Sequence, residues 1–209
     1  MKNAYGIVAE FEDRVAEYAG SRYAVAVDCC TSAIFLSLEF LKAFEALKLG
    51  DDVILPARTY VSVPMACIHA GLSVRFVDYD WSGVYELAPH RIWDGAKRFH
   101  RGMYGGGLHC LSFHVKKLVN IGRGGMILTD DTLASVWLRK ARYDGRSGKP
   151  YAEEQISMLG WHCYMVPEQA ARGLTLLDNL PEGLPDQTED YPDLRKFKIF
   201  QPARELAVV

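Results

Sequence analysis

Apolar positions along the chain fall into two rhythms. Val8, Phe11, Val15 and Tyr18 recur at helical spacing within Val8 to Ala19, and Gly20 stops the run. Tyr23 to Val27 is a short apolar run that predicts a strand. Cys29-Cys30-Thr31-Ser32 follows at once, and Ala33 to Leu47 returns to the helical pattern. Beyond the Gly50-Asp51-Asp52 turn, Val53 to Pro56 predicts a strand. Thr59-Tyr60-Val61-Ser62 opens a helix running to about Gly71, and Val74 to Asp78 predicts the next strand. Strands alternating with helices over short links argue for an α/β domain with a mostly parallel sheet flanked by helices.

The middle of the chain is less regular. Asp80 to Pro89 carries Trp81, Gly83 and Pro89, with a short strand candidate at Val84 to Leu87. Asp94 ends an apolar stretch after Ile92 and Trp93, and the small residues Gly95 and Ala96 follow. Leu108 to Phe113 reads as a strand that releases Lys116 and Lys117 into a loop. The Gly122 to Gly125 turn then leads into a strand at Met126 to Thr129. Asp130-Asp131-Thr132 caps a helix over roughly Leu133 to Tyr143, with Trp137 and Leu138 toward the core. A polar, glycine-rich loop occupies Asp144 to Pro150, and Pro167 suits the first turn of a last helix. After Leu180 the periodicity dissolves. Pro181, Gly183, Pro185, Pro192 and Pro202 with scattered charge predict an extended tail over 181–209 beside a domain at 1–180.

Composition narrows the function classes. The apolar fraction of 49% allows a sizeable core, and the net charge of −2 without a basic block suggests neither nucleic acid nor a membrane surface. Five cysteines at irregular positions resemble neither a disulfide framework nor a zinc site, so no metal is expected. No signal peptide opens the chain and no apolar run is long enough to span a bilayer, which leads to the expectation of a soluble cytoplasmic protein.

Four places carry candidate chemistry. Lys117 lies in a loop between two buried strands; burial lowers an amine's pKa, and a neutral amine can condense with a carbonyl. A solvated loop lysine is the alternative. The strand–turn–helix at Cys30, Thr31 and Ser32 can bind an anion at the helix N-terminus. An ordinary connection with Thr31 or Ser32 as N-cap reads equally well. Asp94 ends an apolar strand before two small residues, where a carboxylate can also simply cap a turn. Tyr60 opens a helix after a buried strand, at the sheet end where ligands collect, and can also simply pack.

The order of these pieces resembles the DegT/DnrJ/EryC1/StrS sugar aminotransferases. Ser112-Phe113-His114, a lysine five residues after the serine, and a glycine pair before a strand are similar to that family's cofactor-lysine motif. Trp93-Asp94-Gly95-Ala96 resembles its Asp-Ala-Ala motif, with Lys97 where glutamine is usual. Cys29-Cys30-Thr31 stands for its Ser-Gly-Thr phosphate cradle. Gly160-Trp161-His162-Cys163-Tyr164-Met165 resembles its Gly-Tyr-Asn-Tyr-Arg-Met segment, with His162 at the asparagine.

The resemblance implies a reduced large domain of the aspartate-aminotransferase fold (type I) that binds pyridoxal 5′-phosphate (PLP). It is shortened around 80–92 and lacks the family's C-terminal cap. Lys117 would carry the cofactor and Asp94 would face its ring nitrogen. Cys30, Thr31, Ser32 and Ser112 would hold the phosphate, and Tyr60 would cover the ring. His162 would reach the phosphate of a partner subunit in a homodimer with shared active sites. The implied reaction moves an amino group from glutamate to a keto sugar, most naturally a nucleotide-linked one. A sugar dehydratase of the same fold, which replaces the lysine with histidine, and a non-catalytic copy acting as an assembly partner are the alternatives.

Overall fold

A computed structural model describes residues 5–44, 46–181, 183–188 and 190–201. Expectations that fall on residues 1–4, 45, 182, 189 and 202–209, Pro202 in the tail among them, lie outside the described residues. Helix α1 (Gly6–Ala19) buries Val8, Phe11 and Val15, as its spacing predicts. It packs on strand β1 (Tyr23–Val27) and on the last helix, α5 (Pro167–Asp178). Glu12, on the same buried face, ties these elements together. Its Oε1 accepts the Ala26 N–H at 2.8 Å, and its carboxylate pairs with Arg139 of helix α4 (Thr132–Ala141) and with Arg142, the residue that caps that helix's C-terminus.

Helix α2 runs Cys30–Ala43, three residues earlier at its start than the apolar pattern predicts. The reason is local: Cys29 is extended, and its Sγ accepts the Ser32 N–H at 3.4 Å, a thiol doing the work of a capping oxygen. Strand β2 (Asp52–Pro56), helix α3 (Ser62–His69) and strand β3 (Ser73–Val77) follow. Four more strands complete the set: β4 (Tyr85–Leu87), β5 (Ile92–Asp94), β6 (Leu108–Ser112) and β7 (Gly125–Thr129).

The main sheet has the order β1-β7-β6-β5-β4, and β2 pairs with β3 in a parallel two-stranded sheet. A backbone bridge between Ile54 and Ala88 links the two. The expected mostly parallel arrangement is corrected here: in the main sheet only β5 and β6 pair in parallel, while β1–β7, β6–β7 and β4–β5 are antiparallel. The links explain it. A parallel return needs a crossover of about a dozen residues, usually helical. Only residues 88–91 join β4 to β5, and no helix intervenes between β6 and β7.

Each face of the sheet has its own core. Val25, Val27, Cys110 and Ile127 pack under α2, α3 and α4. Ala24, Ala26, Leu111, Met126 and Leu128 face the other way, toward α1 and α5, with Phe11 and Phe113 between. Burial on both faces accounts for the unbroken apolar runs of β1 and β7. Residues 183–188 and 190–201 add two short 3₁₀ turns, Leu194–Lys196 and Lys198–Phe200. The segment does not hang free: Leu194 is buried, its N–H bonds the Ala57 carbonyl, and Gln187 bonds Gly83 and Lys97 through the backbone.

Candidate active site

Strands β1, β5 and β6 end on the same edge of the sheet, where ligands of open α/β sheets collect. A cavity of about 810 Å³ opens there. Among its lining residues are Cys30, Thr31, Tyr60, Asp94, Ser112 and Lys117. Six of the eight residues singled out from the sequence therefore meet in one cavity. Ser32 is not among the residues that line it; its hydroxyl lies 3.2 Å from Cys29 Sγ. His162 also stands elsewhere. Its Nδ1 is 2.9 Å from Asp144 Oδ2, its ring meets Tyr164 edge-on at 4.8 Å, and its side chain is largely exposed.

One end of the cavity is built by two helix starts and a strand. In the first turn of α2, Ser32 N–H is taken by Cys29 Sγ and Ala33 N–H by Cys29 O, which leaves the N–H groups of Cys30 and Thr31 at the helix start. Thr31 Oγ1 and Ser62 Oγ, at the starts of α2 and α3, are 2.7 Å apart. Arg123 lines the same side and pairs with Asp28 at 2.5 Å. A Cβ on Gly125 would stand 2.4 Å from the Cys29 carbonyl carbon and 2.6 Å from Cys29 O and Cys30 N. Only glycine lets β7 lie this close against the turn.

Asp94 ends β5 and is 4% exposed. Its Oδ1 accepts the Ala96 N–H at 2.9 Å and its Oδ2 accepts the Tyr85 hydroxyl at 2.7 Å. Cys30 Sγ lies 3.9 Å from Oδ1. Burial pushes the Asp94 pKa up; the Ala96 and Tyr85 donors and the Lys117 cation act against that.

Lys117 sits on the loop between β6 and β7. The loop is pinned from beneath by Phe113, Val119 and Ile121, all buried, and braced by bonds from Phe113 N to Gly124 O and from Val115 N to Gly122 O. Half-buried, the Lys117 amine is held below its usual pKa chiefly by loss of solvent. The Asp94 charge opposes the shift and Lys97 adds to it. Ser112, the last residue of β6, pairs with Gly125. Tyr60 stands at the rim, 55% exposed, its ring centroid 5.9 Å from that of Tyr191.

Among the lining residues, Thr188, Asp190 and Tyr191 carry no local sequence signal. Lys97 is buried and donates to Thr188 O and Asp190 Oδ1, each at 2.5 Å, with its ammonium 4.6 Å from the Tyr191 ring centroid. These partners come from the stretch read as a tail, and nothing local in Asp186 to Tyr191 announces them. Tyr85 could have been found, because its alternation with Leu87 in a short strand puts both on the buried side.

A sequence model of the DegT/DnrJ/EryC1/StrS aminotransferase family matches residues 2–94 and 93–195. The chain is 26% identical to the spore coat polysaccharide biosynthesis protein SpsC of Bacillus subtilis, over 84% of this chain and 57% of that protein. It is also 26% identical to the GDP-perosamine synthase of Caulobacter vibrioides, over 85% of this chain and 58% of that protein. The chain thus spans little more than half the length of these relatives. The solved structure of AtS13 from Actinomadura melliaura has a similar fold, with a TM-score of 0.72 at 20% identity, covering 83% of this chain and 60% of that one.

The fold is that of the PLP-dependent aminotransferases, the aspartate-aminotransferase fold, and the family with its solved members indicates pyridoxal 5′-phosphate as the cofactor. The donor set fits that group. A helix N-terminus with hydroxyls and an arginine suits a phosphate, a buried carboxylate suits a ring N–H, and a desolvated amine suits an aldehyde. On the family match, which runs through both halves of the chain and meets at Asp94, this protein belongs to the DegT/DnrJ/EryC1/StrS aminotransferase family.

Proposed function

We propose that the chain is a PLP-dependent aminotransferase that moves an amino group from glutamate to a keto sugar, carried on a nucleotide. One observation supports this above the others: a desolvated amine, Lys117, shares a cavity with a buried, hydrogen-bonded carboxylate, Asp94, beside the N-terminus of α2. When bound there, PLP supplies an aldehyde carbon that can take up and give back an amino group and a ring that accepts electrons. Lys117 Nζ would be the amine that holds the cofactor, and when free it would serve as the site's proton carrier. Its lowered pKa leaves more of the amine neutral and able to do both. Asp94 would meet the ring nitrogen and keep it protonated. Thr31, Ser112 and the start of α2 would hold the phosphate, and Tyr60 would cover a ring face. The presence of Lys117 favours amination over the dehydratase alternative, which needs histidine at that position.

His162 serves the site of a second copy in this reading, since it lies outside its own cavity. A homodimer is therefore the proposed assembly, and light scattering at working concentration checks it. No helix among the described residues is long and apolar enough to cross a membrane, and all five cysteines are unpaired, which supports the cytoplasm as the compartment.

A non-catalytic role has its own observation: Asp190 and Tyr191 line the cavity and fasten Lys97 there. Absorption spectroscopy separates the two. Protein mixed with PLP gives a visible band that borohydride bleaches, Lys117→Ala lacks it, and glutamate converts it. A wild-type protein with no such band refutes the aminotransferase reading. A band that glutamate leaves untouched favours the non-catalytic one.

A further inference from the structure

We propose that Tyr85 and Thr59 form a buried hydroxyl relay that positions Asp94 and keeps its carboxylate ionised toward the cofactor ring. The inference rests on the PLP reading above and assigns work to two residues given no chemical role so far.

The geometry fixes the direction of the relay. Tyr85 lies directly across the β4–β5 pair from Asp94. Its hydroxyl is 2.7 Å from Asp94 Oδ2 and 2.5 Å from Thr59 Oγ1. An ionised carboxylate only accepts, so the single phenolic proton goes to Asp94. Thr59 must then donate its own proton to the Tyr85 oxygen. Both residues are buried, Thr59 at 1% and Tyr85 at 3% exposed, so no solvent competes for either bond. Trp81 packs on the Tyr85 ring at 4.6 Å and fixes its plane, while the Trp81 indole N–H bonds the Arg58 carbonyl at 2.8 Å.

The consequence concerns which oxygen does what. Ala96 N–H restrains Oδ1 and Tyr85 O–H restrains Oδ2, so the carboxylate cannot rotate about its Cβ–Cγ bond without breaking one of them. Each oxygen accepts two bonds, and Oδ2 has one direction left for a ring N–H. Burial alone would drive Asp94 toward its neutral form, and a neutral carboxyl holds a pyridinium poorly. A donor that favours the charged form works against that drift. Burial and the neighbouring Asp94 charge keep the Tyr85 phenol itself well above its usual pKa, so it stays a donor throughout the physiological range.

The test compares two ligands on the full chain: PLP, and its analogue with the ring nitrogen replaced by CH. Tyr85→Phe is expected to weaken PLP binding by roughly ten- to a hundredfold, the worth of a hydrogen bond to a charged group. Its affinity for the analogue, which has no N–H to meet Asp94, stays at the wild-type value. The acid limb of PLP binding also moves to higher pH in the variant. Thr59→Val is expected to give the same selective loss, severalfold in size, and it carries the comparison if Tyr85→Phe does not fold. Equal loss for both ligands, or for neither, overturns the relay while leaving the cofactor reading standing. A wild-type protein that binds neither ligand overturns both.

Discussion

Replacing Gly125 by alanine tests whether the turn before α2 depends on the close approach of β7. The added methyl would stand 2.4 Å from one backbone carbon and 2.6 Å from two further backbone atoms of Cys29 and Cys30. Ordinary contacts are about 3.5–4.0 Å, so β7 and the turn must separate by roughly 1 Å. No side chain can rotate out of the way, because every atom met is main chain. Val27 pairs directly with Gly125, so the separation also strains the end of the β1–β7 ladder. Overpacking of this kind costs about 1–3 kcal/mol, and a rigid backbone neighbour places Gly125→Ala at the upper end. For a chain of this length about 3 kcal/mol lowers Tm by roughly 6–12 °C. Circular dichroism melts measure that fall, and PLP titration measures the accompanying loss of phosphate binding. Gly122→Ala in the same loop is the control. It has open space around its Cβ and only a left-handed φ of 91° to pay for, a cost of about 1–2 kcal/mol that leaves the turn before α2 in place. Gly125→Ala that melts within 1 °C of wild type and binds PLP as tightly would refute the steric argument.

Two further predictions concern protons. The folded chain holds the Lys117 ammonium below its ordinary value of 10.5, so between that lowered value and 10.5 the unfolded chain binds more protons and stability rises with pH. Lys117→Met without cofactor is therefore expected to melt above wild type at pH 7, with the gap closing as pH climbs toward 10.5; a variant that melts lower contradicts this. His109 is buried, its Nε2 has no hydrogen-bond partner among the described residues, and desolvation lowers its pKa to about 4. Only the unfolded chain takes up that proton between pH 6.5 and 4, so acid removes about 3 kcal/mol of stability over the window. His109→Leu should flatten that part of the Tm-against-pH curve, and an unchanged slope would assign the acid loss to other groups.

Local patterns carried most of the fold. Val8, Phe11 and Val15 are buried as their spacing predicts, and the apolar runs at Tyr23 to Val27 and Met126 to Thr129 are strands. That Asp94 and Lys117 share one cavity follows from cues local sequence carries: Asp94 ends a strand before two small residues, and Lys117 lies in the loop before a glycine turn. Strand direction was less so. The antiparallel β4–β5 pair follows from a link of four residues, a cue present in the sequence but outweighed by the alternation of strands and helices earlier in the chain. The start of α2 at Cys30 was missed because thiols rank low as caps. The partners of Lys97 were beyond reach for a different reason. Thr188 and Asp190 lie more than ninety residues away, and no period or turn motif encodes a contact at that separation.

That last contact has a practical side. Cutting the chain after Leu180 would look like removing a dispensable, proline-rich end. It would in fact strip a wall from the cavity and leave the ammonium of Lys97 without its carbonyl, its carboxylate or its aromatic cover. A version of the chain that keeps this cavity wall runs at least through Tyr191, and fusions beyond it should be spaced well clear of the buried Leu194.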